Sequence, residues 1–258
     1  MTPEKTQKGN PYRLTIHQHV FPTRSIERFA GVDRMVSVRR LATNKVLRVH
    51  PNNPMFSAIR IWDQRAEGGY MKGIENKFQG LATRIVNGLD SITTAEHASI
   101  SAFFALWHLR SHRKQQPEPD HYLNGLVGEY LTKDQQEILE YKHCVFAVGK
   151  DAKVPGRMIL GSMLQIRIDQ IVHNTFRHKH WGILKAKSGH FLVPDIANLA
   201  VIPLSPTICL VCGYPNSTIS ESEVGEINRR AAASAIEYLI AHDLTWTLAL
   251  LRGAGVRL

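Results

Sequence analysis

Residues 91–114, "SITTAEHASISAFFALWHLRSHRK", form the clearest helical pattern in the chain and decide its fold class. Thr93 and Glu96 have the spacing of a capping box, in which the two side chains satisfy free backbone N–H groups at the start of a helix. The side chains of one helical stripe are Ile100, Phe103, Phe104, Trp107 and the stem of Arg110. The pattern predicts a long helix with one apolar face.

The segments around this helix predict both helices and strands. Residues 32–49 alternate as two strands around "ATNK", which indicates an N-terminal β-hairpin. Residues 57–89 lead into a helix with apolar positions from Ile74 to Leu89, and further helices are predicted over 132–143, 156–182 and 220–243. Strand-like runs cover 181–186, 190–195, 199–205, 207–213 and 244–251. We therefore expect an α+β protein: a helical first part with the hairpin, a small antiparallel meander in the second half and a closing helix.

Length and punctuation predict the domain organisation. The chain has 258 residues, which suits one large domain, and 43% of them are hydrophobic, enough for a core. Residues 1–12 are polar and contain Pro and Gly, so we expect a flexible N-terminal tail followed by a single α+β domain over 13–258. The segment "QQPEPD" at 115–120 is the one candidate place for a sub-division.

Apolar runs and cysteines predict the compartment. No run approaches the roughly 20 residues of a membrane span, and the first residues lack the apolar core of a secretory signal. Three cysteines cannot form a closed disulfide framework. Cys209 and Cys212 lie in an apolar strand-like run, where residues three apart point to opposite faces, so they do not suggest a metal site. These features predict a cytoplasmic protein without a membrane partner.

Charge points to a polyanionic partner. The formal net charge is +10, and basic residues outnumber acidic ones eight to two over 13–48 and six to one over 157–187, whereas 118–140 holds six acids and one lysine. Such segregation is typical of a nucleic-acid footprint, with a solvated basic surface as the alternative. The residues predicted to contact phosphate or nucleic acid are Arg24, Arg39, Arg40, Arg110, Arg177 and Lys179. Trp181, beside the basic run "RHKH", is a candidate for stacking on a base.

Several motifs resemble one bacterial protein family. They are "HVFPTRSIERFA" (19–30), the Trp62–Asp63 pair, "GYMKGIENKFQGLATRIVNG" (69–88), "ITTAEHASISAFFALWHLR" (92–110), "WGILKAKSGHFLVPDIANLAVIPLSP" (181–206) and "EINRRAAASA" (226–235). Over most of its length the chain resembles the DUF4238 proteins, which are functionally uncharacterised. One departure is that Pro194 precedes Asp195, where the family often has Ser-Asp with a proline after it. The resemblance implies a fold and a set of polar positions, and no activity.

Four of these positions suggest a metal site. His17 and His19 are two apart, so on a strand both imidazoles point to one face. Together with the carboxylates of Glu75 and Asp195 they could hold a divalent metal, Mg²⁺ or Mn²⁺. His19, Glu75 and Asp195 would then be catalytic, while Arg110 would bind a phosphate in bidentate fashion. This arrangement predicts a metal-dependent nuclease or phosphodiesterase.

Each of these residues also has a structural interpretation. Glu75 could pair with a helix neighbour, Arg110 could cap the end of its helix, and Asp195 could shape a turn. Three hypotheses follow: a metal-dependent nuclease in bacterial defence, a non-catalytic nucleic-acid-binding protein, or a scaffold. The scaffold would form homo-oligomers by docking its acidic segment 118–140 on the basic surface of another copy.

Overall fold

A computed structural model describes residues 4–244 of the chain. The helices are α1 (Thr23–Glu27), α2 (Gln64–Ala66), α3 (Lys72–Val86), α4 (Thr94–Gln115), α5 (Lys133–Tyr141), α6 (Gly156–Ile171) and α7 (Glu221–Ser234). The strands are β1 (His17–His19), β2 (Val36–Arg40), β3 (Val46–Val49), β4 (Ser57–Ile59), β5 (His121–Tyr122), β6 (Lys153–Val154), β7 (Trp181–Ala186), β8 (Val193–Pro194), β9 (Val201–Ser205), β10 (Ile208–Cys212), β11 (Ser217–Ile219) and β12 (Tyr238–Ala241). A 3₁₀ turn covers Pro54–Phe56, and π-helical turns cover Glu67–Met71 and Val172–Phe176. The fold is mixed α+β, as the sequence predicts.

The central helix α4 is the one predicted from its sequence pattern. Thr93 caps it, and the reciprocal bonds with Glu96 form the predicted capping box. Its apolar stripe is buried, and the ring of Phe103 stacks on Phe78 of α3 with centroids 3.6 Å apart. Helices α3 and α6 both contact α4. The main hydrophobic core therefore forms around α4.

The predicted hairpin belongs to a larger sheet with strand order β3-β2-β12-β8. Strands β2 and β3 pair antiparallel around the predicted turn, which confirms the hairpin. The closing helix predicted over 220–243 is correct only as far as Ser234. Residues 238–241, "YLIA", form a strand between β2 and β8, and all four are buried. A short apolar run is compatible with either a buried strand or a helix, and here sheet pairing decided between them.

The predicted meander is also correct in part. Strands β7, β10 and β9 are antiparallel neighbours in a second sheet, of order β11-β7-β10-β9, and β11 pairs parallel to β7. The run 190–195 leaves this sheet, because its strand β8 pairs with β12 instead. In β10, Cys209 packs in a small cluster with Leu184 and Phe191, whereas Cys212 packs against the main core. The two thiols thus point to opposite faces, as predicted.

The N-terminal residues 4–12 make contacts with α5. The backbone N–H of Gln7 donates to Glu137 at 2.8 Å, and the Tyr12 hydroxyl donates to Asp134 at 2.7 Å. Glu4 pairs with Lys133 at the start of the same helix. These contacts attach residues 4–12 to the rest of the chain, although the composition of the segment predicts a flexible tail. The flexible tail and the single domain over 13–258 stay predictions.

The sequence also predicts that no segment spans a membrane and that a strand covers 244–251. Within residues 4–244, no helix combines the length and the apolar character needed to cross a membrane. The strand predicted at 244–251 lies outside the described residues except for its first position.

Gly161 allows helix α6 to approach the loop at Asp63. A Cβ atom at Gly161 would lie 2.1 Å from Oδ1 of Asp63, which accepts a hydrogen bond from the Ala66 N–H at the start of α2. We expect Gly161→Ala to lower the free energy of unfolding by about 1–3 kcal/mol, because the clash displaces a buried capping side chain. Chemical denaturation monitored by circular dichroism measures this change.

Gly80→Ala is the matched control, since Gly80 lies in α3 and a Cβ there meets nothing within 4 Å. This substitution should raise stability by about 0.5–1 kcal/mol through better helix propensity. Equal effects of the two alanines would contradict the close approach of α6.

Candidate functional site

Arg110 lies at the centre of a buried ion-pair cluster that joins three of the predicted site residues. Its guanidinium pairs with Glu75 through Nη1, and its Nη2 lies 3.3 Å from Oε2 of Glu67. Nη1 also donates to the carbonyl of His19 at 3.1 Å, and the guanidinium carbon lies 5.0 Å from the centroid of the Trp62 ring. These five residues are called the Arg110 cluster below.

Local structure explains how the partners of Arg110 are positioned. Strand β1 pairs with β4, which holds the His19 carbonyl beside α4. Glu75 lies in the first turn of α3, and Glu67 lies in the π-helical turn that precedes this helix. The indole N–H of Trp62 donates to Glu67, which orients that carboxylate toward the arginine. Glu67 is not among the site residues predicted from the sequence.

The charge balance of the Arg110 cluster does not favour a phosphate ligand. Burial alone would lower the pKa of Arg110, but the carboxylates of Glu75 and Glu67 outweigh it and the pKa is raised. One guanidinium therefore faces two carboxylates, and the cluster carries an excess of negative charge. The side chain of Arg110 is buried and its charge is balanced by the two carboxylates, and phosphate binding by Arg110 stays a prediction.

The two histidines of β1 flank the buried Gln18, as expected for side chains on one face of a strand. His17 is exposed. His19 is half-buried, and its Nδ1 lies 3.4 Å from the hydroxyl of Ser57. Burial lowers the pKa of His19, although the nearby Glu75 opposes this shift. A neutral imidazole is therefore the favoured state near pH 7.

Asp195 lies at a different place and shapes a turn. Its carboxylate accepts the backbone N–H groups of Ile236 at 2.9 Å and Glu237 at 2.8 Å, just before β12. Burial raises the pKa of this carboxyl group, and the two backbone hydrogen bonds oppose the shift. These bonds agree with the structural interpretation of Asp195 and hold the entrance of β12 in place.

The four predicted metal ligands do not form one site. Within residues 4–244, no group of three or more His, Cys, Asp or Glu side chains is arranged to hold a metal ion. His17, His19, Glu75 and Asp195 are therefore not brought together as the sequence suggested. A divalent metal, Mg²⁺ or Mn²⁺, stays a prediction.

The residues predicted to bind nucleic acid fall into two groups. Arg24, Arg40, Arg177 and Lys179 are exposed. Arg39 is 5% exposed and donates to Asn44, so it is buried like Arg110. Phosphate binding by Arg39 stays a prediction. Arg39 and Arg40 are adjacent in β2, where the first four residues are buried and only Arg40 is exposed.

The densest exposed basic segment is residues 177–180, "RHKH", which we name the basic turn. It follows the π-helical turn at the end of α6, and all four side chains are exposed. Neither Arg177 nor Lys179 makes an ion pair with any residue in the described part of the chain. The carbonyl of His180 accepts the N–H of Gly213 at 2.8 Å, which brings the neighbouring Tyr214 close.

Tyr214 is an exposed aromatic residue that sequence analysis missed. Its exposed fraction is 56%. Trp181, the residue predicted to stack on a base, is instead buried, and its indole N–H donates to Ser101 at 2.9 Å. The Gly213-Tyr214-Pro215 sequence is the available signal, because an aromatic between two turn formers after a strand is often exposed.

Comparison with models of protein families, with curated proteins and with solved structures finds no significant match. The resemblance to the DUF4238 family is neither supported nor contradicted and stays a prediction.

Removing the arginine from the Arg110 cluster tests its structural role. We expect Arg110→Ala to destabilise the protein by about 3 kcal/mol, because Glu75 and Glu67 lose their shared cation and the stem leaves a void. Glu75→Gln should cost less, since Glu67 still pairs with the arginine. Denaturant unfolding of both variants measures the order. If Arg110→Ala lowers the free energy of unfolding by less than Glu75→Gln does, the structural role of Arg110 is contradicted.

The lowered pKa of His19 has a consequence for stability. An unfolded histidine is protonated below about pH 6.5, whereas His19 in the folded state takes up its proton only at a lower pH. The free energy of unfolding therefore falls as the pH drops through about 6.5. His19→Gln should remove this contribution, which is at most about 1.4 kcal/mol per pH unit for one group. Denaturant unfolding at pH 7.5 and 5.5 should therefore show a smaller pH dependence in the variant than in the wild type. Identical dependence would show that His19 does not titrate differently on folding.

Proposed function

We propose that this protein binds nucleic acid, single-stranded in particular, through the basic turn and Tyr214. The observation that carries the proposal is that Arg177 and Lys179 are exposed and have no ion pair within residues 4–244, while the backbone of the basic turn is bonded to Gly213, next to the exposed Tyr214. A nucleic acid needs cations for its phosphates, and unpaired bases stack on aromatic rings.

Arg177 and Lys179 are among the cations that no ion pair neutralises within residues 4–244. Many of the acidic side chains pair with arginine or lysine within the described residues, for example Asp33 with Arg48 and Glu226 with Arg229. No carboxylate of residues 4–244 forms an ion pair with Arg177 or Lys179 of the basic turn. Its two histidines would add charge below neutral pH.

The competing scaffold hypothesis requires a free acidic surface on segment 118–140. Most acids of that segment already have internal partners: Glu118 bonds Arg113, Asp120 bonds Lys153, and Glu140 bonds Arg60. The segment therefore has little charge left for a second copy. Self-association stays a prediction of lower support.

Hydrolysis of the bound nucleic acid, a role in bacterial defence and a cytoplasmic location accompany the proposal as predictions. Binding requires only exposed cations and a stacking surface, whereas cleavage requires a site that gathers several metal ligands or general bases. Binding without cleavage is therefore the form of the function that the geometry favours.

Charge removal at the basic turn is the direct test. We expect Arg177→Ala with Lys179→Ala to weaken binding of a labelled 20-nucleotide DNA or RNA strand by about tenfold. The salt slope of log K should fall by about 1.4, because two phosphate contacts are lost. Tyr214→Ala should weaken single-strand binding more than duplex binding, since duplex bases are already stacked. Fluorescence anisotropy at several salt concentrations measures these effects.

The control removes two charges elsewhere. Arg229→Ala with Arg230→Ala changes the net charge equally, but both arginines are paired with Glu226. An equal loss of affinity in this variant would show that net charge, and not the basic turn, determines binding. Adding Mg²⁺, Mn²⁺ or EDTA to the same samples, followed by gel electrophoresis, tests for cleavage.

A further inference from the structure

A cavity of about 430 Å³ lies between strand β4, helix α4 and the N-terminus of α6. Its volume is in the range of small-molecule sites. The cationic side chains in its wall are those of Arg60, Lys114, Lys153 and Arg157, and apolar side chains include Ile59 and Ile61. The carboxylates of Glu4, Glu118 and Asp120 also line the cavity. Lys153 pairs with Asp120 and Lys114 pairs with Glu237, so Arg60 and Arg157 are the cations that concern a ligand. The cavity is separate from the basic turn.

Arg60 is the unusual member of this wall. Its side chain is 2% exposed, and only Nη2 is paired, with Glu140 at 2.7 Å. Nε and Nη1 are buried and have no hydrogen-bond partner among the described residues. Buried donors without acceptors cost free energy, so a native protein usually supplies a partner.

The backbone at Arg60 is also strained. Its φ is +46°, in the left-handed region that a residue with a long side chain rarely adopts. Such strain is often found at ligand sites, where the surrounding structure holds a side chain in a particular place. The N–H of Arg60 donates to the carbonyl of Ile16 at 3.1 Å, which fixes this conformation.

Apart from Glu4 in the N-terminal segment, Arg60 and Arg157 pair with a single carboxylate, that of Glu140. Glu140 Oε2 accepts from Arg60 at 2.7 Å and from Arg157 at 3.0 Å, so one anion serves two guanidinium groups. Burial lowers the pKa of Arg60, and Glu140 compensates only in part. The pair therefore has a deficit of negative charge.

Glu4 supplies a further carboxylate from the N-terminal segment. It lines the cavity and pairs with Arg157 and with Lys133. Burial would raise its pKa, but these cations lower it, so the carboxylate stays ionised. Glu4 is itself 40% exposed at the side chain, which is accessible enough for another carboxylate to replace it.

We propose that this cavity binds a small organic carboxylate, for which Glu4 is an internal substitute. The ligand's carboxylate would bind Arg157 and Arg60, and its short carbon chain would contact Ile59 and Ile61. Arginine recognises carboxylates in a bidentate geometry, and the N-terminus of the 16-residue helix α6 adds a favourable dipole. The inference is independent of nucleic-acid binding.

The test uses the full chain with butyrate as the probe. We expect Glu4→Ala to bind butyrate at least about tenfold more tightly than the wild type, because an intramolecular competitor is removed. Butyrate should bind about tenfold more tightly than acetate, since its two extra CH₂ groups are buried. Isothermal titration calorimetry at constant ionic strength measures both ratios.

Arg60→Met in the Glu4→Ala background should abolish saturable binding, and Lys142→Met, an exposed cation outside the cavity, should leave it unchanged. If Arg60→Met does not fold, the guanidinium resonances of Arg60 and Arg157 in Glu4→Ala should shift on titration with butyrate. Absence of saturable binding to Glu4→Ala would overturn the proposal. Binding of inorganic phosphate as tight as that of butyrate would overturn the assignment to a carboxylate.

Discussion

The buried guanidinium of Arg110 is the interaction on which the first half of the molecule depends. It extends from α4 and contacts Glu75 of α3, Glu67 of the π-helical turn and the His19 carbonyl of β1. A buried charge is costly unless it is paired, so separating any of these elements from α4 would leave the guanidinium short of a partner. The aromatic contacts of the core, such as Phe78 on Phe103, then pack in that arrangement.

The buried pair Arg60 and Arg157 differs from Arg110 in its balance of positive and negative charge. Arg110 has two carboxylates, whereas Arg60 and Arg157 share Glu140 and receive a further carboxylate only from Glu4 in the N-terminal segment. In the first network both Nη atoms of Arg110 have partners, although its Nε has none among the described residues. The second depends on the carboxylate of Glu4, whose side chain is 40% exposed, and a partly satisfied buried network is costly.

Local sequence patterns predict the elements that depend on nearest neighbours. The capping box at Thr93 and Glu96 and the hairpin around "ATNK" involve residues a few positions apart, and both are present. Patterns that depend on distant partners are less informative. Residues 238–241 read equally well as the end of a helix, and 190–195 as part of a meander, because the pairing of β12 with β2 and β8 is invisible in either segment alone.

The candidate site divides in the same way. The sequence predicted His19, Glu75 and Arg110 as residues of a functional site, and the three residues are in contact in the Arg110 cluster. It also grouped Asp195 with them, whereas that carboxylate holds the backbone at 236–237. Sequence could not reveal Glu67, since it has no distinctive spacing, whereas the Gly213 and Pro215 that flank Tyr214 are a weak signal of its exposure. The position of a partner 30 or more residues away depends on how the chain packs, and no local pattern contains it.

The sequence by itself determined the α+β class, the helix α4 and the surplus of positive charge, because these follow from periodicity and composition. Only the tertiary structure decided which arginines are buried. Arg39 and Arg40 are adjacent in β2, yet one is enclosed and the other is exposed. The physical reason is that burial of a cation requires specific acceptors from distant segments, and their placement is a property of the packed molecule.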